Sequence, residues 1–297
     1  MIFFSVIIPV YNRAQLVCET VDTVLAQTYS QFEIIIVDDG SSDNTKDVLA
    51  AKYNNDPRVS YFYKQNGERG AARNYGISLA KGDYAVFFDS DDWMLPNYLD
   101  ILNRAIENNP GVFLLAAKYN YNNKGRIELH PTLRTLKAGW YDKSLLLGGN
   151  MLACNFCIKI NDERRKPFRE ERDLATMEDW LYLLHNLDNE RILIIDETAV
   201  TMRQHDDRSM MNNKKVIEAR QKATNWALKN LSLSQSQKKT FEAWSHYFCG
   251  IHQYLDHKRS PAIIETVKAI KLAGINKKFI LLLAKSIVGR KLVLAWK

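Results

Sequence analysis

AVFFDSDDWMLP, residues 85–96, runs from an unbroken apolar stretch into three carboxylates within four positions, Asp89, Asp91 and Asp92. A short, continuously apolar run bounded by polar residues predicts a strand covered on both faces, and Pro96 suits the first turn of a following helix. FEIIIVDDGS (32–41) repeats the design one unit earlier, ending in Asp38 and Asp39 before a turn at Gly40 and Ser41. The first run, residues 2–10, ends at Pro9 and is followed by Tyr11 and Asn12. Between these runs lie helical patterns. Val17, Val21, Val24 and Leu25 share a face, with Asn12 and Gln15 at capping-box spacing, and Asp43 or Asn44 is placed to cap the next helix. Residues 58–63 predict a short strand and 69–80 a helix. After Pro96, Leu99, Leu102 and Ile106 face inward. Alternation of apolar strands with helices predicts an α/β fold, a mostly parallel sheet with helices on both faces. In such sheets the ligand sits outside the carboxyl ends of the strands, where the acidic residues fall.

Beyond residue 110 the pattern loosens. Strand-like stretches occur at 112–119 and 152–160, a helix is expected over 177–187 and a strand over 191–200. From Lys214 onward the chain reads as helix, interrupted near 232–236, 257–261 and 274–276. The expected organisation is a domain over 1–212, with a nucleotide-binding half (1–110) and an acceptor-binding half (111–212), and a helical appendage over 213–297.

With 297 residues, 46% of them hydrophobic, the chain can bury a core without disulfide staples. Cys154 and Cys157 form a lone CxxC without a second ligand pair, so Cys18, Cys154, Cys157 and Cys249 read as small core residues in a reducing compartment. The apolar N-terminus is too short for a membrane span and lacks the basic and small-residue flanks of a signal peptide, which predicts a cytoplasmic protein. Net charge is +7, but residues 258–297 hold ten Lys/Arg against Glu265 alone, so the basic charge belongs to the appendage. Those cations interleave with aliphatic residues rather than exposed aromatics, which disfavours nucleic acid as a partner. Placed on a helix, Lys271, Lys278 and Lys285 form a stripe and Phe279, Ile280, Leu283 and Ile287 the roughly opposite one, a pattern suited to peripheral binding on an anionic membrane surface or to packing on the domain.

Three carboxylates at one strand end repel one another unless a cation neutralises them, and hard oxygen ligands suit Mg²⁺ or Mn²⁺ held together with phosphates. A solvated acidic turn is the plainer alternative. Asp38 and Asp39 read either as ligand contacts or as an Asx turn, and Tyr11 as a stacking platform or a core residue. Arg69 and Arg73 flank Gly70 at a helix start, where they would face a diphosphate or solvent.

Together, SVIIPVYNR (5–13), IIIVDDGSSDNT (34–45), NGERGAARNYGI (66–77) and DSDD (89–92) resemble glycosyltransferase family 2, with its GT-A fold. MEDW (177–180) and RQHDDRSM (203–210) extend the resemblance to about residue 210. The resemblance implies inverting, metal-dependent transfer of a sugar from a nucleoside-diphosphate-sugar donor, with UDP the implied carrier. The implied acceptor is a hydroxyl of a glycan or lipid-linked glycan, as in bacterial surface polysaccharide synthesis, and the implied enzyme a hexosyl- or N-acetylhexosaminyltransferase. It implies that Pro9 and Tyr11 border the base, that Asp39 with Asp38 accepts from it, and that Arg73 meets the nucleotide or its diphosphate. Asp89, Ser90 and Asp92 would line the donor, Asp91 would ligate Mn²⁺ or Mg²⁺, and Arg203 and His205 would assist at the diphosphate and metal. Asp179 would be the base, with Glu178 beside it; helix-end charges are the simpler reading of that pair. A non-catalytic nucleotide-sugar-binding or scaffold subunit would keep the same motifs. A nucleotidyltransferase would want a glycine-rich basic loop after the first strand, a phosphohydrolase an earlier DxD, and a dinucleotide dehydrogenase GxGxxG, none of which the sequence has there. Oligomeric state is not legible.

Overall fold

The computed structural model describes residues 1–123, 125–204, 212–290 and Val293. The chain forms two compact units. One comprises Met1–Asp142, Met151–Arg172 and Glu190–Asp206; the other comprises Lys143–Asn150, Asp173–Asn189 and Asp207–Lys297. A single boundary at 212 does not describe this division, because 143–150 and 173–189 group with the helices that follow it.

The first unit begins β1 (Phe4–Val10), α1 (Ala14–Leu25), β2 (Phe32–Asp38), α2 (Thr45–Tyr53), β3 (Val59–Tyr63), α3 (Glu68–Leu79) and β4 (Tyr84–Phe87). It continues with β5 (Trp93–Met94), α4 (Tyr98–Asn108), β6 (Leu114–Asn123), β7 (Arg126–Leu129), β8 (Gly139–Tyr141) and β9 (Phe156–Lys159). The next helix, α5 (Glu178–Asn186), belongs to the second unit, and β10 (Ile192–Arg203) returns to the first. One sheet has the order β3-β2-β1-β4-β9-β6-β10-β5, with β7 on β6 and β8 on β10. β3, β2, β1 and β4 are mutually parallel neighbours, as the alternation in residues 2–88 predicts. Past β4 the sheet is mixed: β9 is antiparallel to β4 and β6, while β10 is parallel to β6. Parallel neighbours need a crossover, usually a helix, and between β6 and β9 the described chain offers only short strands and 3-10 turns.

All seven residues of β1 are buried, so both faces of the sheet are covered there. Glycine at 76 lets α3 lie close on β1; a Cβ there would stand 2.4 Å from Ile7 Cγ2. The expected capping box at Asn12 does not form. Arg13 occupies the N-cap of α1 without a side-chain cap bond. Asn12, at φ +49, instead accepts at Oδ1 from Ser42 N (2.8 Å) and Asp43 N (3.3 Å), tying the β1 and β2 exit loops together. Asn44 holds the N-cap position of α2 without a side-chain cap bond, and Asp43 beside it accepts from Thr45 N at 3.0 Å.

The second unit contains α6 (Asn213–Asn230), α7 (Gln235–Leu255), α8 (Arg259–Ala273) and α9 (Lys277–Val288), broken where the sequence places the interruptions. Ser234 and Gln237 form a complete capping box at the start of α7. Ala243, Ala269 and Phe279 are core residues of this bundle, packed by Trp244, Tyr247, Ile270 and Leu272. The four cysteines are free thiols, three of them buried.

After β9 the chain turns on Asp162, whose carboxylate takes Arg164 Nε at 2.8 Å and Nη2 at 2.7 Å. This two-point contact with Arg164 lowers the Asp162 pKa to about 2, against the opposing effect of burial. A carboxylate whose pKa is lower folded than unfolded stabilises the fold above its unfolded value and loses that contribution as pH falls through the folded one. Asp162→Asn is therefore expected to cost about 2 kcal/mol at neutral pH, with the gap to the parent narrowing as pH falls from about 4 toward 2. Urea unfolding across that range measures it; a gap independent of pH would refute the ion-pair assignment.

Candidate active site

The parallel strands bring their carboxyl ends to one edge of the sheet. Val10 is in register with Asp38, and Asp38 with Tyr63. Asp39 N donates to Val10 O at 2.8 Å, and Phe88 N to Ile7 O at 3.0 Å, so the segments leaving β1, β2 and β4 begin side by side. Tyr11 leaves β1 with half its surface exposed, while Pro9 stays inside the strand opposite Val37.

The two aspartates after β2 divide their work. Asp38 is 1% exposed and both its oxygens are taken internally, Oδ1 by Ser41 N (2.7 Å) and Oδ2 by the Tyr61 hydroxyl (2.7 Å). Burial, and then that bond to a carboxylate, push the Tyr61 pKa upward. Asp38 thus braces the turn that follows β2. Asp39 Oδ1 accepts from Lys64 Nζ (2.7 Å) and Gly67 N (2.9 Å), and Asn66 Nδ2 donates to the Asp39 carbonyl (2.8 Å). Asp39 Oδ2 has no hydrogen-bond partner among the described residues, so a donor on a ligand fits there. Gly40, at φ +84, makes the intervening turn in a region that favours glycine; a Cβ would stand 2.9 Å from Asn66 N.

Past β4, ligand oxygens of Asp89, Asp91 and Asp92 lie within 4.8 Å of one another. Burial pushes the Asp89 pKa up; Arg73 opposes this, and the charge of Asp91 adds to it. Arg73, expected at the nucleotide, is 1% exposed and donates from Nη2 to Asp89 Oδ1 at 2.8 Å, its guanidinium 5.4 Å from the Phe168 ring. A buried guanidinium needs an anion, and Asp89 supplies one. Ser90 is buried. Asp92 is buried too, accepting from Arg203 N at 3.0 Å, while its carbonyl accepts from Thr20 Oγ1 at 2.9 Å. Asp91 is a half-buried carboxylate on the loop between Asp89 and Asp92.

Arg203 is tied into the same loop. Its side chain bonds the Asp91 carbonyl, Glu19 Oε2 (2.6 Å) and Leu16 O (3.4 Å), and lies 5.0 Å over Trp93. It clamps the acidic loop to α1. His205 lies outside the described residues. Hard oxygen donors this close, on a loop fixed at both ends, are a donor set that fits Mn²⁺ or Mg²⁺.

Glu178 and Asp179 open α5 in the second unit. Glu178 is buried; Asp179, half-buried, takes Asn150 Nδ2 at 2.8 Å on Oδ2 and Trp180 N at 2.6 Å on Oδ1. Trp180 fixes this helix start. Its Nε1 donates to Leu146 O at 2.8 Å, its ring stacks on Phe241 at 5.1 Å, and the Arg220 guanidinium lies 3.7 Å from its centroid. Arg220 is 1% exposed; burial lowers its pKa to about 9, and it reaches Ser245 Oγ at 3.4 Å and the Phe248 ring at 5.0 Å. Lys64, Tyr61, Asn150 and Arg220 are contributors the sequence did not reveal.

The family model described as glycosyl transferase family 2 matches residues 5–164. An uncharacterized glycosyltransferase of Rickettsia conorii is 43% identical over 122 residues, 41% of this chain and 20% of that protein. Glycosyltransferase GlyG of Streptococcus pneumoniae is 38% identical over 119 residues, 40% of each chain. The matched stretch is thus well under half of these relatives' lengths. Among solved structures, S. aureus TarS 1-349 in complex with UDP-GlcNAc superposes with a TM-score of 0.70 at 21% identity, covering 96% of this chain and 87% of that one. The mannosyltransferase PcManGT of Pyrobaculum calidifontis, in complex with GDP-Man and Mn²⁺, gives 0.62 at 17% identity, covering 97% and 80%. These likenesses show the fold, a GT-A-like α/β core with a helical C-terminal region.

Arg220 has no carboxylate partner among the described residues, so its charge costs stability while its stem and stacking face contribute packing. Arg220→Met is expected to fall within about 1 kcal/mol of the parent, whereas Arg220→Ala opens a cavity beside Trp180 and costs about 2–4 kcal/mol. Chemical denaturation separates the two; equal losses would mean the guanidinium charge itself is needed.

Proposed function

The chain belongs to glycosyl transferase family 2, and on that footing we propose that it transfers a sugar, with inversion, from a nucleoside-diphosphate sugar to a hydroxyl of a glycan or lipid-linked glycan. The observation that carries this reading is the packing of three aspartates within 4.8 Å at the end of β4, beside the Asp39 and Tyr11 exits. UDP is the proposed carrier; the S. aureus structure contains UDP-GlcNAc and the Pyrobaculum one GDP-Man with Mn²⁺, each a statement about that protein.

Tyr11 offers an exposed ring for the base, and Asp39 Oδ2 an acceptor for its N–H. Asp91, with Asp89 and Asp92, would hold Mn²⁺ or Mg²⁺. Bound there, the ion supplies Lewis-acid stabilisation of the departing diphosphate. Arg73 orients Asp89 and opposes the effect of burial on it, and Arg203 holds the loop through the Asp91 carbonyl. The acceptor oxygen forms a bond to the anomeric carbon as the bond from that carbon to the diphosphate oxygen breaks. The bonding pair leaves with the nucleoside diphosphate, and the acceptor proton passes to a carboxylate. Asp179 is the proposed base: a half-buried carboxylate oriented by Asn150, with Glu178 beside it.

Release of UDP from UDP-GlcNAc with Mn²⁺, with and without an acceptor glycan, tests this. Asp91→Asn is expected to lower turnover on both routes, by about a hundredfold or more. Asp179→Asn is expected to lower transfer to the acceptor by about 10²–10⁴-fold. Parent rates in both variants would remove the proposed chemistry.

A further inference from the structure

The last helix of the described chain has two apolar faces and one buried side. Phe279, Leu282 and Ser286 of α9 point inward, the Phe279 ring lying 5.1 Å from both Trp244 and Tyr247. At 3.6 residues per turn the opposite side of α9 carries Ile280, Leu281, Ala284 and Ile287 within about a third of its circumference. All four are exposed, Leu281 by 52% and Ile287 by 50%. The simple two-stripe helix expected from sequence therefore does not hold: Ile280 and Ile287 part company with Phe279, and an aliphatic strip is left in solvent. Ile275, 86% exposed in the link to α8, and Ile264 on the outer side of α8 add to the aliphatic surface of the same helix pair.

Cations border this surface. Lys268, Lys271, Lys277, Lys278 and Lys285 are exposed on α8 and α9. The one acid in the pair of helices, Glu265, is already engaged by His246 (2.6 Å) and Lys268 (3.0 Å). We propose that α8 and α9 form a membrane-docking surface that seats its aliphatic strip at the acyl boundary of an anionic bilayer, with the lysines at the headgroup phosphates. Charge selects this occupant. A second copy of the chain would bring Lys271, Lys277 and Lys285 against the same three cations. A protein partner's site is usually centred on aromatic anchors, and among the described residues the strip has only aliphatic ones. No described helix is long and apolar enough to cross a membrane, so the contact is a surface one. It is independent of whether the chain transfers sugar.

Flotation of the full chain with phosphatidylcholine vesicles, with and without phosphatidylglycerol, is the test. The parent is expected on the anionic vesicles only, and released by salt. Ile280→Gln/Leu281→Gln/Ile287→Gln is expected to lower partitioning at least about tenfold, and Lys271→Gln/Lys277→Gln/Lys285→Gln about a hundredfold. All six positions are exposed, so circular dichroism and UDP release in solution should match the parent. Equal binding to neutral vesicles, or parent-like partitioning of both variants, would overturn the proposal. So would a concentration-dependent dimer, seen by light scattering and lost in the isoleucine–leucine variant, without vesicle binding.

Discussion

Crowded negative charge at the end of β4 is the constraint around which the first unit is arranged. Like charges about 4 Å apart near a protein surface repel by about 4 kcal/mol per pair. Three carboxylates have ligand oxygens within 4.8 Å of one another, so leaving them uncompensated would consume a large part of a typical domain's stability. The buried Arg73 supplies a direct counter-charge on Asp89. Arg203 pins the loop, its side chain bonding the Asp91 carbonyl and its backbone N–H the Asp92 carboxylate, while its guanidinium pairs with Glu19. The remaining repulsion is what a divalent cation would relieve, and the diphosphate of the proposed donor would complete its coordination.

Supporting bonds explain why this arrangement can be rigid. The β2 exit is braced by Asp38 with Tyr61 and Ser41, and the β1 exit by Asn12 with 42 and 43. What remains open is selective: Tyr11 as an exposed ring and Asp39 Oδ2 as an acceptor. In the second unit the pairing of Trp180 with Phe241 and Arg220 plays the equivalent part for the start of α5, fixing the helix whose first turn carries Glu178 and Asp179.

Much of this was legible in sequence, and the failures share a cause. Apolar runs ending in acids reported strand, edge and polarity together, because burial on both faces leaves no alternation and a strand end is where charge can be tolerated. The breaks between α6, α7, α8 and α9 followed from local turn chemistry. The partners of Arg73 and Arg203 were not legible, because a sequence shows that a guanidinium is near a ligand site, not which carboxylate or carbonyl it will bond. Asp38 and Asp39 are adjacent and chemically identical; only the tertiary position of Tyr61 and Lys64 separates support from contact. Arg220 carried no local signal, since its partners come from α5 and α7. The antiparallel half of the sheet escaped because residues 112–160 lack both strong periodicity and a crossover helix.

Calorimetric titration of Mn²⁺ into the protein, alone and with saturating UDP, probes the central claim most directly. Expected is a single site that tightens when UDP is present, with Mn²⁺ raising UDP affinity by the same factor, as linkage requires. Mn²⁺ binding that is indifferent to UDP, or that survives unchanged when Asp89 and Asp91 are both made asparagine, would contradict it.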